Sequence, residues 1–524
     1  MHDAIVVGSG HNGLICAAYL AKEGYRVVVF ERQPVAGGAV CTQDDLIPGY
    51  RIDTGSSAHI MIHQTPVLKD LELHRYGVEY LPMDPWAYYP LPDGSGRAIH
   101  FHRDLDRTCD SIAAISPRDA EAYRRFCEAW GALNEGVFEA FLRPPTPVNL
   151  MRGMIGRSLK GSDRTDMVRQ IMAPYGQMVC EWFEHEAVRS AIIWLAAQSG
   201  PSPHEPGSGD FAGWHAMYHR SGMKRARGGS GALSQALKAR IQADGGEVRE
   251  NAPVAAIETD GRGRARGVRL DNGERHEARA VVAACHIQTT LERLLADAPD
   301  VPERLRRRSR RLRVGNGFGM IVRCAMSGLP DYPGAPGGGR AGACHRGLQL
   351  LCPSRAALDA AYADFLARRP PANPVPLAMT FSAIDPSLAP EGRHVMFVWG
   401  QYHPYELGNG ETWDVIRERE ADKLIAAVDA YAPGTADKVL DRFIQTPVDI
   451  ERRHGMLRGN VMHLEMSLDQ MFTFRPMPEL SSYKAPAIRG LYLCGASTHP
   501  GGGVWGASGH NCARVMLRER RKWR

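Results

Sequence analysis

Asp3-Ala4-Ile5-Val6-Val7-Gly8-Ser9-Gly10-His11-Asn12-Gly13-Leu14, continued by Arg26-Val27-Val28-Val29-Phe30-Glu31, decides the fold. Asp3–Val7 reads as a short buried strand. Gly8, Gly10 and Gly13 form a G-x-G-x-x-G turn. Leu14, Ala17, Ala18, Leu20 and Ala21 place one apolar face on a helix that ends near Gly24. Arg26–Phe30 is a second strand, and Glu31 follows Gly13 by 18 residues. Each part has a mechanical role. Gly8 permits the tight turn, Gly10 lets a pyrophosphate approach the backbone, and Gly13 allows close helix–strand packing. The helix N-terminus presents free N–H groups to phosphate. Glu31 is placed to accept hydrogen bonds from a ribose diol. The expectation is an α/β, Rossmann-like dinucleotide-binding domain.

The next segment narrows the dinucleotide. Arg32 precedes a second glycine pair, Gly37 and Gly38, which recurs in flavoproteins that bind FAD in an extended form. Ala39 stands where arginine is usual after that pair, so Arg32 is expected to supply part of the cationic contact. The chain then runs to Asp53-Thr54-Gly55-Ser56-Ser57-Ala58-His59. Gly228–Gly231 opens a helix reaching about Ala243, Glu247–Glu250 is a late third strand, and Val254 is expected to meet adenine through its backbone. Ala255–Thr259 and Ala265–Leu270 alternate, Asp271-Asn272-Gly273 is a hairpin turn, and Ala280–Ala284 is a buried parallel strand. At the other end, Gly490–Gly495 is a strand and turn, and His499-Pro500-Gly501-Gly502-Gly503-Val504-Trp505 leads into a helix from about Gly506 to Leu517. Gly495, Gly503, Val504 and Trp505 are expected against the isoalloxazine, with the helix N-terminus facing the flavin N1–C2=O edge.

Composition excludes other classes. Glycine is 55 of 524 residues, above a typical ~7%, but without a G-X-Y period, so a collagen is excluded. The 11 cysteines are scattered with no C-x-x-C pair, which argues for a reducing cytoplasm and against a disulfide framework or zinc site. No apolar run approaches the ~18 residues of a membrane span, and no signal peptide is expected before the first strand. Net charge is +6. Arg304–Arg313 and Arg518–Arg524 are dense in arginine but carry too few aromatics to stack bases, so nucleic acid is not expected as a partner. Met151, Met154, Ile155 and Leu159 lie among Arg152, Arg157 and Lys160, which suggests either a solvated helix or peripheral contact with an anionic membrane surface.

Taken together, the chain resembles the phytoene dehydrogenase (carotenoid desaturase)-like superfamily of FAD oxidoreductases. Within it, the chain is most similar to the branch of pyridine nucleotide-disulfide oxidoreductase domain-containing proteins. The resemblance rests on Val6–Leu14 with His11 and Asn12, on His454–Gln470, on Gly490–Asn511, and on Ile384–Gly392. It implies an amine-oxidase-like FAD domain (1–75, 222–300, 481–524). A discontinuous α+β substrate domain (76–221, 301–480) would be inserted between its pieces. In that second domain Thr165–Phe183 reads as a helix, and Pro376–Ser382 with Val395–Gln401 as paired strands.

The implied activity is FAD-dependent desaturation, or a related redox or isomerisation step, on a long apolar polyene or isoprenoid. Oxygen or a membrane quinone would accept the electrons, because no second nicotinamide-type motif is visible. His499 is the first candidate base, the alternative being that it only fixes its loop. His59 is the second, and Trp505 is a candidate wall. His59 and His63 lack a third ligand, so no metal is expected. Three rivals stay open. One is a flavin amine oxidase, disfavoured by the absence of lysine between Lys238 and Lys423 and by Ala496-Ser497 in place of an acid. The second is an NAD(P)H-dependent reductase, disfavoured because Gly261-x-Gly263 lacks a third glycine and reads as a hairpin. The third is a non-catalytic flavin-binding assembly protein.

Overall fold

The computed structural model describes residues 1–150, 162–335 and 340–519. Five parallel strands form its first layer. Strand β1 (His2–Val7) leads through the glycine turn into helix α1 (His11–Lys22) and strand β2 (Val27–Phe30). β1 pairs in parallel with β2, Ala4 opposite Val27. Strands β3 (Glu247–Arg249), β4 (Arg275–Ala283) and β5 (Leu491–Leu493) arrive much later and give the spatial order β5-β4-β1-β2-β3. The N-terminal half of β4 also carries an antiparallel meander of Ala265–Leu270 and Val254–Thr259.

Alternation along β1 explains why its sequence is apolar throughout. Ala4 and Val6 face α1, helix Ala232–Ala243 and helix α2 (Ala507–Arg518), while Ile5 and Val7 face the meander and residues such as Leu291, Leu305 and Leu480. Both faces of the sheet are covered, as parallel sheets require. Each fully buried Val, Ile or Leu contributes about 1.5–3 kcal/mol.

A second sheet is built from residues 87–101 and 317–445. Its strand order is Val439–Gln445, Gly317–Met326, His394–Pro404, Pro376–Met379, Leu348–Leu350, Ala87–Pro90, Ala98–Phe101. Helices Pro117–Phe141 and Glu186–Ala197 pack in the core cluster on one side, where Trp86, Trp130 and Trp194 are fully buried. Ser116 caps the first of these helices by accepting the Asp119 N–H. Helix Trp413–Asp429 packs in the cluster on the other side. A two-stranded ribbon, Tyr80–Met83 with Met223–Ala226, stands where the chain passes between the two layers.

Some elements differ from the sequence reading. Thr165–Phe183 is two helices, Ser162–Met172 and Tyr175–Trp182, divided at Ala173-Pro174. Proline lacks an N–H and pushes the preceding residue out of helical conformation. The strand expected at Pro376–Ser382 stops at Met379, because Phe381–Ala383 forms a 3-10 turn. The arginine run begins in helix Glu303–Arg310 and is largely met within the chain. Arg308 pairs with Glu479, Arg310 with Glu292 at 2.7 Å and Arg313 with Asp469 at 2.7 Å, while Arg306 donates to the Leu295 carbonyl at 2.6 Å. The Met151–Leu159 stretch and Arg520–Arg524 lie outside the described residues. Among the described residues no helix is long and apolar enough to cross a membrane.

Close backbone approach holds the first layer together. A Cβ on Gly13 would sit 2.5 Å from the Gly8 carbonyl oxygen, and one on Gly509 would sit 2.3 Å from the Asn12 carbonyl oxygen. Gly13→Ala and Gly509→Ala are each expected to cost about 1–3 kcal/mol. Thermal unfolding of the cofactor-free protein measures this, and an unchanged Tm in both variants would contradict the packing described.

Candidate functional site

One cavity of about 870 Å³ runs from the β1–α1 turn, past the Gly495–Trp505 loop, and on between the two sheets. Backbone geometry shapes its first end. Gly8 has φ +96°, inside the region that favours glycine. A Cβ on Gly10 would meet no atom within 4 Å, so the missing side chain leaves open space before the N-terminus of α1. Gly38 brings the second glycine pair against this turn, its missing Cβ lying 3.1 Å from the Gly10 Cα. Gly37 stands behind it, its N–H donating to the Ser9 hydroxyl at 3.1 Å.

Glu31 closes β2 at the cavity edge. Its carboxylate accepts the Ser9 N–H at 2.8 Å, the Ser9 hydroxyl at 2.6 Å and the Gln33 N–H at 2.9 Å. Arg32 also lines the cavity, with its guanidinium 3.4 Å from the Arg452 and Arg453 carbonyls. Val254, His11, Asn12, Gly495, Gly503, Val504 and Trp505 line it as well. The Asn12 Oδ1 accepts the Gly509 N–H at 3.2 Å and so ties α1 to α2.

A buried ion pair supports the opposite wall. Asp53 accepts from Arg225 at 2.8 Å, from the Ser230 N–H at 2.8 Å and from the Thr42 hydroxyl at 2.7 Å. Arg225 donates to the Ser57 carbonyl at 3.0 Å and lies 4.0 Å over the Phe381 ring. Asp385 accepts the Gly228 N–H at 2.7 Å, joining the segment between strands Pro376–Met379 and His394–Pro404 to the glycine turn before helix Ala232–Ala243. Arg323 donates to the Gly55 carbonyl at 3.3 Å, and burial pulls its pKa down to about 9. His454 shares a hydrogen bond with the Thr54 carbonyl at 2.9 Å, donating from Nε2.

The expected catalytic side chains separate. Trp505 forms part of the cavity wall, its ring 5.3 Å from Phe141 and 5.4 Å from Phe138. His59 is fully buried behind Ser56–Ala58, bonded to the Tyr80 hydroxyl and to the Ser230 hydroxyl at 2.8 Å each. His499 is fully buried behind Phe141 and Phe472, and faces the Ala140 carbonyl without hydrogen-bond geometry. Burial lowers the pKa of both rings, that of His499 to about 3. Neither ring is part of the cavity lining, so the candidate-base reading does not match their placement. The histidines that do line the cavity are His11, His286, His454 and His463. His454 and His463 stand in a stretch noticed only for its resemblance, and their spacing carries no signal of a site.

The sequence pattern described as "Flavin containing amine oxidoreductase" matches residues 13–327. The chain belongs to this family. It is 33% identical over 99% of its length, and 94% of the relative's, to pyridine nucleotide-disulfide oxidoreductase domain-containing protein 2 of Rattus norvegicus. It is 27% identical to a lycopene-forming phytoene desaturase of Pantoea ananas, covering 99% of both chains. Among solved structures, an oxidoreductase from Methanosarcina mazei shares the fold with a TM-score of 0.63 and 17% identity, over 98% of this chain and 100% of that one.

The protein is therefore an FAD-dependent oxidoreductase, and the residues present fit the cofactor. The space left at Gly10 before α1 suits the pyrophosphate, and Glu31 suits the ribose diol. The Val254 backbone would meet the adenine, and the Gly495 and Gly503–Trp505 walls would hold the isoalloxazine.

Two outcomes test the site. Gly10→Val is expected to leave the Tm of the cofactor-free protein unchanged while weakening FAD binding at least about tenfold, since the new side chain fills ligand space rather than protein. Equal FAD affinity in fluorescence titration would contradict that placement. Burial holds His11, His286 and His454 neutral, each lowered to about 4. The unfolded chain protonates these rings near pH 6.5 and so binds more protons between about pH 6.5 and 4. Stability is full above that range and is expected to fall as the pH drops through it. A Tm that stays level down to about pH 4.5 would contradict this.

Proposed function

We propose that this flavoenzyme removes two hydrogens from adjacent carbons of a long apolar molecule of the polyene or isoprenoid class. One observation carries the reading, the division of the cavity by polarity. Beyond the Gly495–Trp505 loop it continues between Leu195, Phe211, Trp214, Ile321, Leu377 and Phe397. The carboxylates that line it, Glu31 and Glu451, both belong to the end beside Arg32. An ammonium group entering the apolar half would lose hydration without meeting an anion. A hydrocarbon loses nothing there, and its burial contributes about 0.8 kcal/mol per methylene. The similarity to a phytoene desaturase over nearly the whole of both chains supports the same class.

In desaturation two C–H bonds break and one C=C bond forms. FAD, when bound, accepts a hydride. The second hydrogen leaves as a proton to water. The apolar walls orient the chain, and Trp505 limits how close the substrate approaches. Oxygen or a membrane quinone then takes the electrons. Gly261-x-Gly263 lies in the turn of the meander and opens no helix, so it forms no second dinucleotide turn. Delivery of such a substrate suits peripheral contact with a membrane from the cytoplasmic side. Val168 and Met172, 44% and 48% exposed on helix Ser162–Met172, supply apolar surface for it.

The test is anaerobic mixing of the FAD-loaded protein with polyene or isoprenoid hydrocarbons in micelles and, separately, with small aliphatic amines. Bleaching of the oxidised flavin by the hydrocarbons is expected. Bleaching by amines alone would overturn the reading in favour of amine oxidation. A flavin that neither bleaches nor reoxidises after photoreduction would favour a non-catalytic assembly role.

A further inference from the structure

Two stacked histidines on the cavity wall have their protons assigned by the backbone. His286 and His463 lie with ring centroids 5.2 Å apart and planes 30° from parallel. His286 Nε2 is 2.9 Å from the His463 carbonyl, which can only accept, so that nitrogen carries the proton. The Gln288 N–H, which can only donate, meets the other nitrogen, Nδ1, at 3.2 Å. The same logic reaches His463 through Ser497. The Ser497 hydroxyl accepts the Ile287 N–H at 3.1 Å, and among the described residues its own hydrogen finds an acceptor only at His463 Nδ1. His463 Nδ1 lies 3.1 Å from it and accepts. The His463 proton is therefore on Nε2.

That Nε2–H has no hydrogen-bond partner among the described residues, and His463 lines the cavity together with His11 and Gly503. A polar donor on the cavity wall is placed to meet an acceptor on a bound ligand. The backbone is committed to this placement, since His463 holds φ +66°, a conformation costly for a residue other than glycine. Around it stand the loop carrying Ala496 and Ser497, Gly502 against Met462, and His11 at the start of α1. This is the middle of the cavity, between the glycine turn and the Val504-Trp505 wall.

We propose that His463 is a neutral hydrogen-bond donor to an oxygen at the middle of FAD, a pyrophosphate or ribityl oxygen, and that Ser497 is the positioning residue that fixes its tautomer. The contact serves this chain where Ala496-Ser497 offers no carboxylate to the cofactor. Three charged or titratable groups face the His463 ring: His286, Arg475 and His11. Burial beside them disfavours a second proton on His463, and the Ser497 hydroxyl hydrogen occupies the place that proton would take.

The experiment titrates the cofactor-free protein with FAD, and with ADP, by fluorescence and calorimetry. It uses wild type, His463→Asn, Ser497→Ala and the double variant. Asparagine tolerates the left-handed backbone but cannot reach as far, so folding is preserved, which the Tm of each variant checks. His463→Asn is expected to weaken FAD binding about tenfold, the worth of one such hydrogen bond. A matching loss for ADP assigns the pyrophosphate, and a loss for FAD alone assigns the ribityl chain. Wild-type affinity is expected to stay level between about pH 5.5 and 7.5, because burial keeps the His463 ring neutral. Ser497→Ala leaves Nδ1 without its donor and is expected to weaken FAD binding at least threefold, since the ring proton is no longer confined to Nε2. The double variant should lose no more than His463→Asn alone. An FAD loss under threefold in His463→Asn, or a Ser497→Ala loss that adds fully to that of His463→Asn, would overturn the proposal.

Discussion

The gap between the Gly8 carbonyl and Gly13, too narrow for a methyl group, is the constraint on which the site depends. Because α1 comes that close to the turn, its N-terminus opens directly onto the cavity. The same economy repeats where α1 meets α2, with Gly509 against the Asn12 carbonyl and the Asn12 side chain bonded to the Gly509 N–H. Two helix starts are thereby locked together, although 497 residues separate the bonded pair. A cavity able to follow an extended cofactor needs walls from both chain ends at once. This contact supplies them.

Opposite that contact, buried charge does comparable work. Asp53 and Arg225 are both withdrawn from water, and each is also hydrogen-bonded to backbone. Such a pair contributes little net stability, but removing one partner costs about 3–5 kcal/mol, because the other charge is left stranded. It therefore acts as a registration device. The pair holds residues 53–57 against the turn at Ser230, and Asp385 does the same from the second sheet's side. Polar groups are thus gathered on the dinucleotide side, and the far side is left to leucine, isoleucine and aromatic rings. That separation is a property of the assembled walls and of no single segment.

Much of the fold was legible in the sequence because its signals are local. The glycine spacing, the apolar run of β1, Glu31 and the Asp271-Asn272-Gly273 turn act over a few residues each, and the structure realises them nearly where they were expected. Misreadings were local too. Pro174 breaks a helix whose apolar period continues across it, and the ion pairs of the arginine run with Glu479, Glu465 and Asp469 left no local signal because these partners lie more than 150 residues away. The site was less legible. His59 and His499 sit in glycine- and serine-rich loops close to the cofactor cradle in sequence, yet their rings turn into the protein. His286 and His463, which line the cavity, stand in stretches whose residue spacing points to no site.

The sequence by itself determined the dinucleotide turn, the five-strand parallel layer and the kind of cofactor, since backbone room, strand period and an acid at a set distance are written into consecutive residues. Only the tertiary structure decided which histidines face the cavity, how their protons are placed, and where polar lining gives way to apolar. Those features depend on contacts between segments hundreds of residues apart. Burial and hydrogen-bond partners assign each side chain its direction and charge, and neither exists until the two sheets have packed.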